Sequence, residues 1–318
     1  MVRQRDPQQL LEALRGGDRG ALARAVSLVE QGGSPAREVG RLAYPLGGTA
    51  YTVGLTGAPG AGKSTLTSAL IGLVRASGQR VAVLAIDPSS PFTGGAILGD
   101  RVRMQDHALD DGVFIRSMAT RGHLGGLALA TPQVVRVLDA TGVPWVLLET
   151  VGVGQVEVEV AGAADTTVVV VNPGWGDAVQ ANKAGLMEIA DVFVINKADR
   201  PGVRDTRRDL ETMLELSELR SEDWRPPIVA TVAAKSEGID ELWAAVASHR
   251  AFLESTGALA KRRSDRLLDE LRTIVARTLE RRAFELTSSA KVEELHRAVV
   301  DRQLDPYAAA DEILRGVT

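Results

Sequence analysis

The stretch GAPGAGKST at residues 57–65 limits the folds open to this chain more than any other. It fits the pattern G-x-x-x-x-G-K-[ST] with Gly57, Gly62, Lys63 and Ser64, and Thr65 follows directly. Glycines let successive backbone N–H groups turn inward around a phosphate chain; Ala58, Pro59, Gly60 and Ala61 complete that turn. Lys63 is then placed to reach β- and γ-phosphates and Ser64 to bind Mg²⁺. The positive end of a following helix adds to the same cradle. An apolar run, TVGLTG at 52–57, leads into the turn, and a helix-like run follows.

Such a turn demands strand-helix alternation, and the chain supplies it. Strands are expected at VAVLAID (81–87), PWVLLET (144–150), TTVVVVN (166–172), DVFVINK (191–197) and PIVATVA (227–233). Several are apolar nearly throughout, as parallel strands covered on both faces are. The expected fold class is α/β, a P-loop NTPase domain with a mainly parallel central sheet between helices. Leu10, Leu11, Leu14, Ala21, Leu22, Ala25, Leu28 and Val29 recur at helical spacing. Gly16, Gly17 and Asp18 divide them into two helices, and the run Gly32 to Pro35 ends the stretch. Beyond about Ala251 only amphipathic helices are expected. The division is therefore an N-terminal helical extension (1–47), the P-loop domain (48–250) and a C-terminal helical region (251–318).

In open α/β sheets ligands lie beyond the carboxyl ends of the strands, and every further motif stands there. NKAD gives Asn196, Lys197 and Asp199. An Asp carboxylate accepts two hydrogen bonds from guanine N1–H and its 2-amino group, a pair that adenine does not offer. Asn196 and the Lys197 stem would brace the loop and the base. AAKSEG at 233–238 follows the last strand, with Ala233 and Ala234 near the guanine carbonyl and Lys235 against the base. Glu149 ends a strand, with Gly152 three residues on, as E-x-x-G where many GTPases have D-x-x-G. Its carboxylate would hold Mg²⁺ through water while Gly152 senses the γ-phosphate. Asp87 and Asp100 suit the same oxygen-rich ion. The alternatives are a turn-forming Asp87 before Pro88 and a solvated or capping Asp100. Val153 stands where Ras-type enzymes place the Gln that orients water, and Gln155 comes two residues later. Slow intrinsic hydrolysis, completed by a partner, is the expectation.

Composition narrows the alternatives. The 318 residues carry a net charge of −4, so no bulk basic field recruits nucleic acid. Without cysteine, disulfides, thiolate metal sites and a Cys nucleophile are excluded. No apolar run suggests a membrane span and the first residues lack a signal-peptide core, so a cytoplasmic protein is expected. A small-molecule P-loop kinase is the rival enzyme class, opposed by N-K-x-D. A nickel metallochaperone would need soft or imidazole ligands, and His107, His123, His249 and His296 are widely spaced.

With these motifs in view, the chain resembles the MeaB/ArgK family of methylmalonyl-CoA mutase-associated GTPases. The resemblance rests on GAPGAGKST, DPSSPFTGGAILGDRVRM, ETVGVGQVEVEVA, GWGDAVQANKAGLMEIADVFVINKAD and DPYAAADEIL. It implies GTP/GDP and Mg²⁺ as ligands and a chaperone for an adenosylcobalamin-dependent methylmalonyl-CoA mutase or a related acyl-CoA mutase. It implies that Lys63, Asp87, Asp100, Glu149 and Lys183 serve catalysis. It also implies switch segments at about 87–103 and from Glu149, and a third at about 172–183. That third segment contains Trp175, Asp177, Asn182 and Lys183, and Lys183 is expected to reach the nucleotide region or the switches when the mutase is bound, the alternative being a solvated helix-face lysine. A homodimer through the C-terminal helices is implied too. There Leu267, Leu268, Leu271, Ile274, Val275 and Leu279 share one face, suited to a dimer seam or to packing on the chain's own P-loop domain.

Overall fold

The computed structural model describes residues 6–87, 105–107, 109–119, 126–150, 162–174, 188–216, 223–286 and 290–315. The chain forms two compact units, Met1–Arg262 and Arg263–Thr318.

The first unit is built on seven parallel strands: β1 (Tyr51–Gly57), β2 (Val81–Asp87), β3 (Val113–Ala119), β4 (Trp145–Thr150), β5 (Thr166–Val171), β6 (Val192–Asn196) and β7 (Ile228–Thr231). Their order is β3-β2-β4-β1-β5-β6-β7. β2, β3 and β4 therefore lie on one side of β1, and β5, β6 and β7 on the other. The crevice at the carboxyl end of β1 is the point where the order switches, the usual ligand position in such sheets.

Both faces of the sheet are covered, which explains the continuous apolar strands. Val81 and Val83 of β2 face one way with Val53, Leu55, Leu147, Val168 and Val194. They pack on α4 (Lys63–Ala76) and α7 (Ile239–Ser255). Ala82, Leu84 and Ile86 face the other way with Val146 and Leu148. They are covered by α5 (Gly126–Asp139) and by α1 (Pro7–Arg15), α2 (Arg19–Gln31) and α3 (Gly33–Ala43). On the β5–β6 half, Val169, Val171, Phe193 and Ile195 pack on α6 (Val203–Glu215). The N-terminal helices thus form part of the central core, covering β2 and β4, which carry Asp87 and Glu149 near their carboxyl ends.

Three details depart from the sequence expectation. The Gly32–Pro35 run does not end the helical stretch. Gly32, at φ 75°, closes α2 and opens α3, and Pro35 falls in the first turn of α3, where a missing N–H breaks no helical bond. β3 was not expected, because Arg116 and Ser117 interrupt its apolar run. It is an edge strand, and Arg116 turns to α2, donating to Ser27 Oγ at 2.9 Å and pairing with Glu30. The last strand is shorter than expected, because Val232 leaves it to bridge Glu237.

The second unit contains the main length of α8 (Ala258–Leu286), then α9 (Ala290–Val300) and α10 (Pro306–Leu314). Asp305 caps α10 by accepting from Tyr307 N at 2.9 Å and Ala308 N at 3.1 Å, with Pro306 in the first turn. Leu267, Leu268, Leu271, Ile274, Val275 and Leu279 are 38% to 57% exposed. Among the described residues no helix is long and apolar enough to cross a membrane.

Candidate functional site

The carboxyl end of β1 turns at Gly57, whose φ is +127°. A Cβ there would lie 2.1 Å from the Val170 carbonyl on β5, so no other residue fits without moving the strand. The loop runs on through Gly60 (φ 70°) and Gly62 (φ 93°) into Lys63, the first residue of α4. Buried Lys63 folds back over the loop, its Nζ donating to the carbonyls of Gly57 at 2.7 Å and Ala58 at 3.1 Å. An ammonium so placed, at the positive end of a helix, is suited to polyphosphate.

Glu149 closes the other wall. It pairs in register with Leu55 of β1 and Ala85 of β2, and its side chain is fully buried. Its Oε1 accepts from Ser64 Oγ at 2.5 Å. Asp87 ends β2 two residues beyond Ala85, so its backbone stands on the same rim. Carboxylate and hydroxyl oxygens in contact beside a phosphate cradle are the donor chemistry that Mg²⁺ accepts, so the residues present fit that ion. Asp100, Gly152, Val153, Gln155, Trp175, Asp177, Asn182 and Lys183 lie outside the described residues.

The third wall joins distant parts of the chain. Buried Asn196, the last residue of β6, donates through Nδ2 to the Ala61 carbonyl of the phosphate loop at 2.8 Å. Its Oδ1 accepts from Thr231 Oγ1 and from Ala233 N, each at 3.1 Å. One amide group thus ties the loop after β1 to the loop after β7. Lys197, held at φ 59°, donates from Nζ to the Gly60 carbonyl at 2.5 Å. The phosphate loop is therefore gripped by its carbonyls at Gly57, Ala58, Gly60 and Ala61.

Asp199 stands exposed at the rim, with Lys235 Nζ 3.6 Å from its Oδ2. Ala233–Lys235 form a 3-10 turn beside it. That turn is closed at Gly238, where a Cβ would lie 2.2 Å from the Ala230 carbonyl. Thr65, Ser68, Ala233, Ala234 and Ser236 line one part of an approximately 810 Å³ cavity that runs along α4 to Asp106, His107 and Asp240. The fold therefore brings together Gly57 to Thr65, Glu149, Asn196, Lys197, Asp199 and Ala233 to Lys235. Thr231 was not foreseen as a member; its hydroxyl reads as an ordinary strand Thr until Asn196 is seen beside it.

A family model described as methylmalonyl Co-A mutase-associated GTPase MeaB matches residues 22–288. A putative GTPase of Pyrococcus abyssi is 52% identical over 97% of this chain and 96% of its own length. The mouse methylmalonic aciduria type A homolog, a mitochondrial protein, is 33% identical over 98% of this chain and 80% of its own length. The crystal structure of a LAO/AO transport system kinase matches with a TM-score of 0.75 at 26% identity, covering 100% of this chain and 99% of that one.

Proposed function

Because the chain belongs to the family of methylmalonyl-CoA mutase-associated GTPases, we propose that its GTP hydrolysis serves as a chaperone's clock for an adenosylcobalamin-dependent acyl-CoA mutase. Guanine-nucleotide binding and GTP hydrolysis are the activity of the family. The observation that carries the reading at this site is the Asn196 knot, which holds the N-K-x-D loop against the phosphate loop.

In this reading the amides of Gly57 to Thr65 and the start of α4 hold the phosphates. Lys63 exchanges the Gly57 and Ala58 carbonyls for phosphate oxygens. Asp199 accepts from the guanine edge, and the backbone near Ala234 meets its carbonyl. Ser64 and Glu149, with Asp87 and Asp100, would hold Mg²⁺, which supplies positive charge beside the phosphate oxygens. Val153 offers no side chain to orient water, so intrinsic turnover is slow and the mutase completes or triggers it. Lys183 is proposed to act from the 172–183 segment when the mutase is bound. The exposed face of α8 from Leu267 to Leu279 supports a homodimer seam. A kinase reading, carried by the name of the structural relative, is opposed by the guanine-reading Asp199.

The test is steady-state GTP hydrolysis, with ATP as control, with and without the mutase of the same organism. Slow GTP turnover that rises with the mutase supports the proposal. GTP turnover indifferent to the mutase keeps the GTPase activity and removes that mutase as the client.

A further inference from the structure

Two aspartates occupy equivalent places in successive strands. Asp165 immediately precedes β5 and Asp191 immediately precedes β6. Asp165 Oδ2 accepts from Thr52 N at 3.0 Å, and Asp165 N donates to the Thr52 carbonyl at 2.9 Å. Asp191 repeats the bracket on the next strand: Oδ2 accepts from Thr167 N at 2.8 Å, and its N donates to the Thr167 carbonyl at 2.9 Å. Each aspartate stands opposite the residue that it grips, one step before the paired strands begin. A slip of one residue would break both bonds and turn every following side chain to the other face.

Asp191 carries more than this bracket. Arg262 donates to it from Nη1 at 3.1 Å and Nη2 at 3.0 Å. His249, fully buried, places Nε2 3.2 Å from Oδ1 and Nδ1 2.8 Å from Thr166 Oγ1. Trp224 Nε1 donates to the Asp191 carbonyl at 2.7 Å. This concentration of partners sits at the start of a five-residue strand whose other end is Asn196. The neighbour of β6 on its outer side is β7, four residues long and at the sheet edge. Short strands near an edge have few ladder bonds to set their register, and a side-chain bracket supplies the missing constraint.

We propose that Asp191, held by Arg262 and His249, is a positioning residue for base recognition: it sets the register of β6 and so the placement of Asn196 and Asp199. The inference rests on the reading of Asp199 as the guanine contact. A carboxylate displaced by a fraction of an ångström keeps its bond to guanine N1–H less well and its bond to the 2-amino group least, because that bond needs the second oxygen aligned.

The test is calorimetric binding of GDP, of IDP, which lacks the 2-amino group, and of ADP. The proteins are the wild type, Asp191→Asn, Arg262→Met and Arg262→Lys, with Val137→Ala as a core-destabilised control away from β6. The GDP:IDP affinity ratio is expected to fall about fivefold in Arg262→Met and Asp191→Asn, the value of one hydrogen bond. Arg262→Lys recovers most of the ratio, and Val137→Ala lowers the melting temperature without moving it. If Asp191→Asn does not fold, Arg262→Met alone decides. An unchanged ratio, or GDP and IDP weakened in proportion, overturns the proposal. A wild type that binds ADP as tightly as GDP instead overturns the reading of Asp199, a separate result.

Discussion

Asn196 Nδ2 lies 2.8 Å from the carbonyl of Ala61, a contact that spans 135 positions of the chain. Removing this one amide frees groups in two loops at once. Asn196→Ala leaves the Ala61 carbonyl and the Ala233 N–H without their buried partner, each at a cost of about 1–3 kcal/mol. The variant is expected to bind GDP much more weakly than the wild type while keeping its strand content. Titration with a fluorescent GDP analogue beside far-UV circular dichroism checks both halves of that statement.

Gly62 meets the same side chain from the other direction. A Cβ at this position would stand 2.4 Å from Asn196 Nδ2, and the backbone is at φ 93°. Gly62→Ala therefore combines a left-handed penalty of about 1–2 kcal/mol with displacement of Asn196. Nucleotide affinity is expected to fall about tenfold or more. Gly72→Ala, on α4 with open space at its Cβ, is expected to leave affinity unchanged.

Glu149 and Ser64 give the metal prediction. Glu149→Gln keeps the shape and a hydrogen-bond acceptor but removes the charge beside Ser64 Oγ. Hydrolysis at limiting Mg²⁺ is expected to fall about 10–100-fold, with partial recovery as Mg²⁺ is raised. Rates measured across a Mg²⁺ series distinguish this from a loss of fold, which added metal would not repair.

Asp191 and Tyr51 set opposite ends of the pH range. Burial would raise the Asp191 carboxyl, but His249 and Arg262 beside it outweigh burial and leave its pKa lowered. Its contribution to stability is therefore present above the unfolded value near 3.9 and is lost as pH falls through the lower folded value. Burial pushes Tyr51 up to about 12, against the hydrogen bond it shares with Thr166 and with help from the charges of Asp165 and Asp191. The stability of the neutral phenol is present below the unfolded value near 10 and is lost as pH rises through about 12. Melting temperatures of Asp191→Asn and Tyr51→Phe against the wild type are expected to differ in slope below pH about 4 and above pH about 10, respectively.

The apolar stripe of α8 is tested by charge. Leu271, 57% exposed, lies at its centre. Leu271→Asp is expected to shift a dimer to monomer in light scattering while leaving GDP affinity intact. A wild type that is monomeric at all concentrations contradicts the seam.

Much of this architecture was legible because its causes are local. Strands buried on both faces are apolar throughout, and the phosphate loop needs its glycines within six residues. What escaped depended on tertiary partners. Arg116 disguised β3, since a charge in a strand makes sense only with Glu30 of α2 opposite. Pro35 read as a terminator, since a first-turn proline and a breaking proline have the same letter. Asp165 and Asp191 did leave a signal. The pairs Ala164-Asp165 and Ala190-Asp191 each precede an apolar strand, but their meaning appears only when Thr52 and Thr167 lie alongside. Thr231 likewise became part of the site only beside Asn196.

The central claim is that this site reads guanine through Asp199, and exchanging that carboxylate tests it most directly. Asp199→Asn replaces one acceptor by an N–H donor, which matches xanthine, whose 2-position carries an oxygen in place of the amino group. The affinities of GDP and XDP should be measured for both proteins by calorimetry. The account predicts that the wild type prefers GDP and that Asp199→Asn prefers XDP. A variant that keeps the wild-type preference for GDP would contradict it.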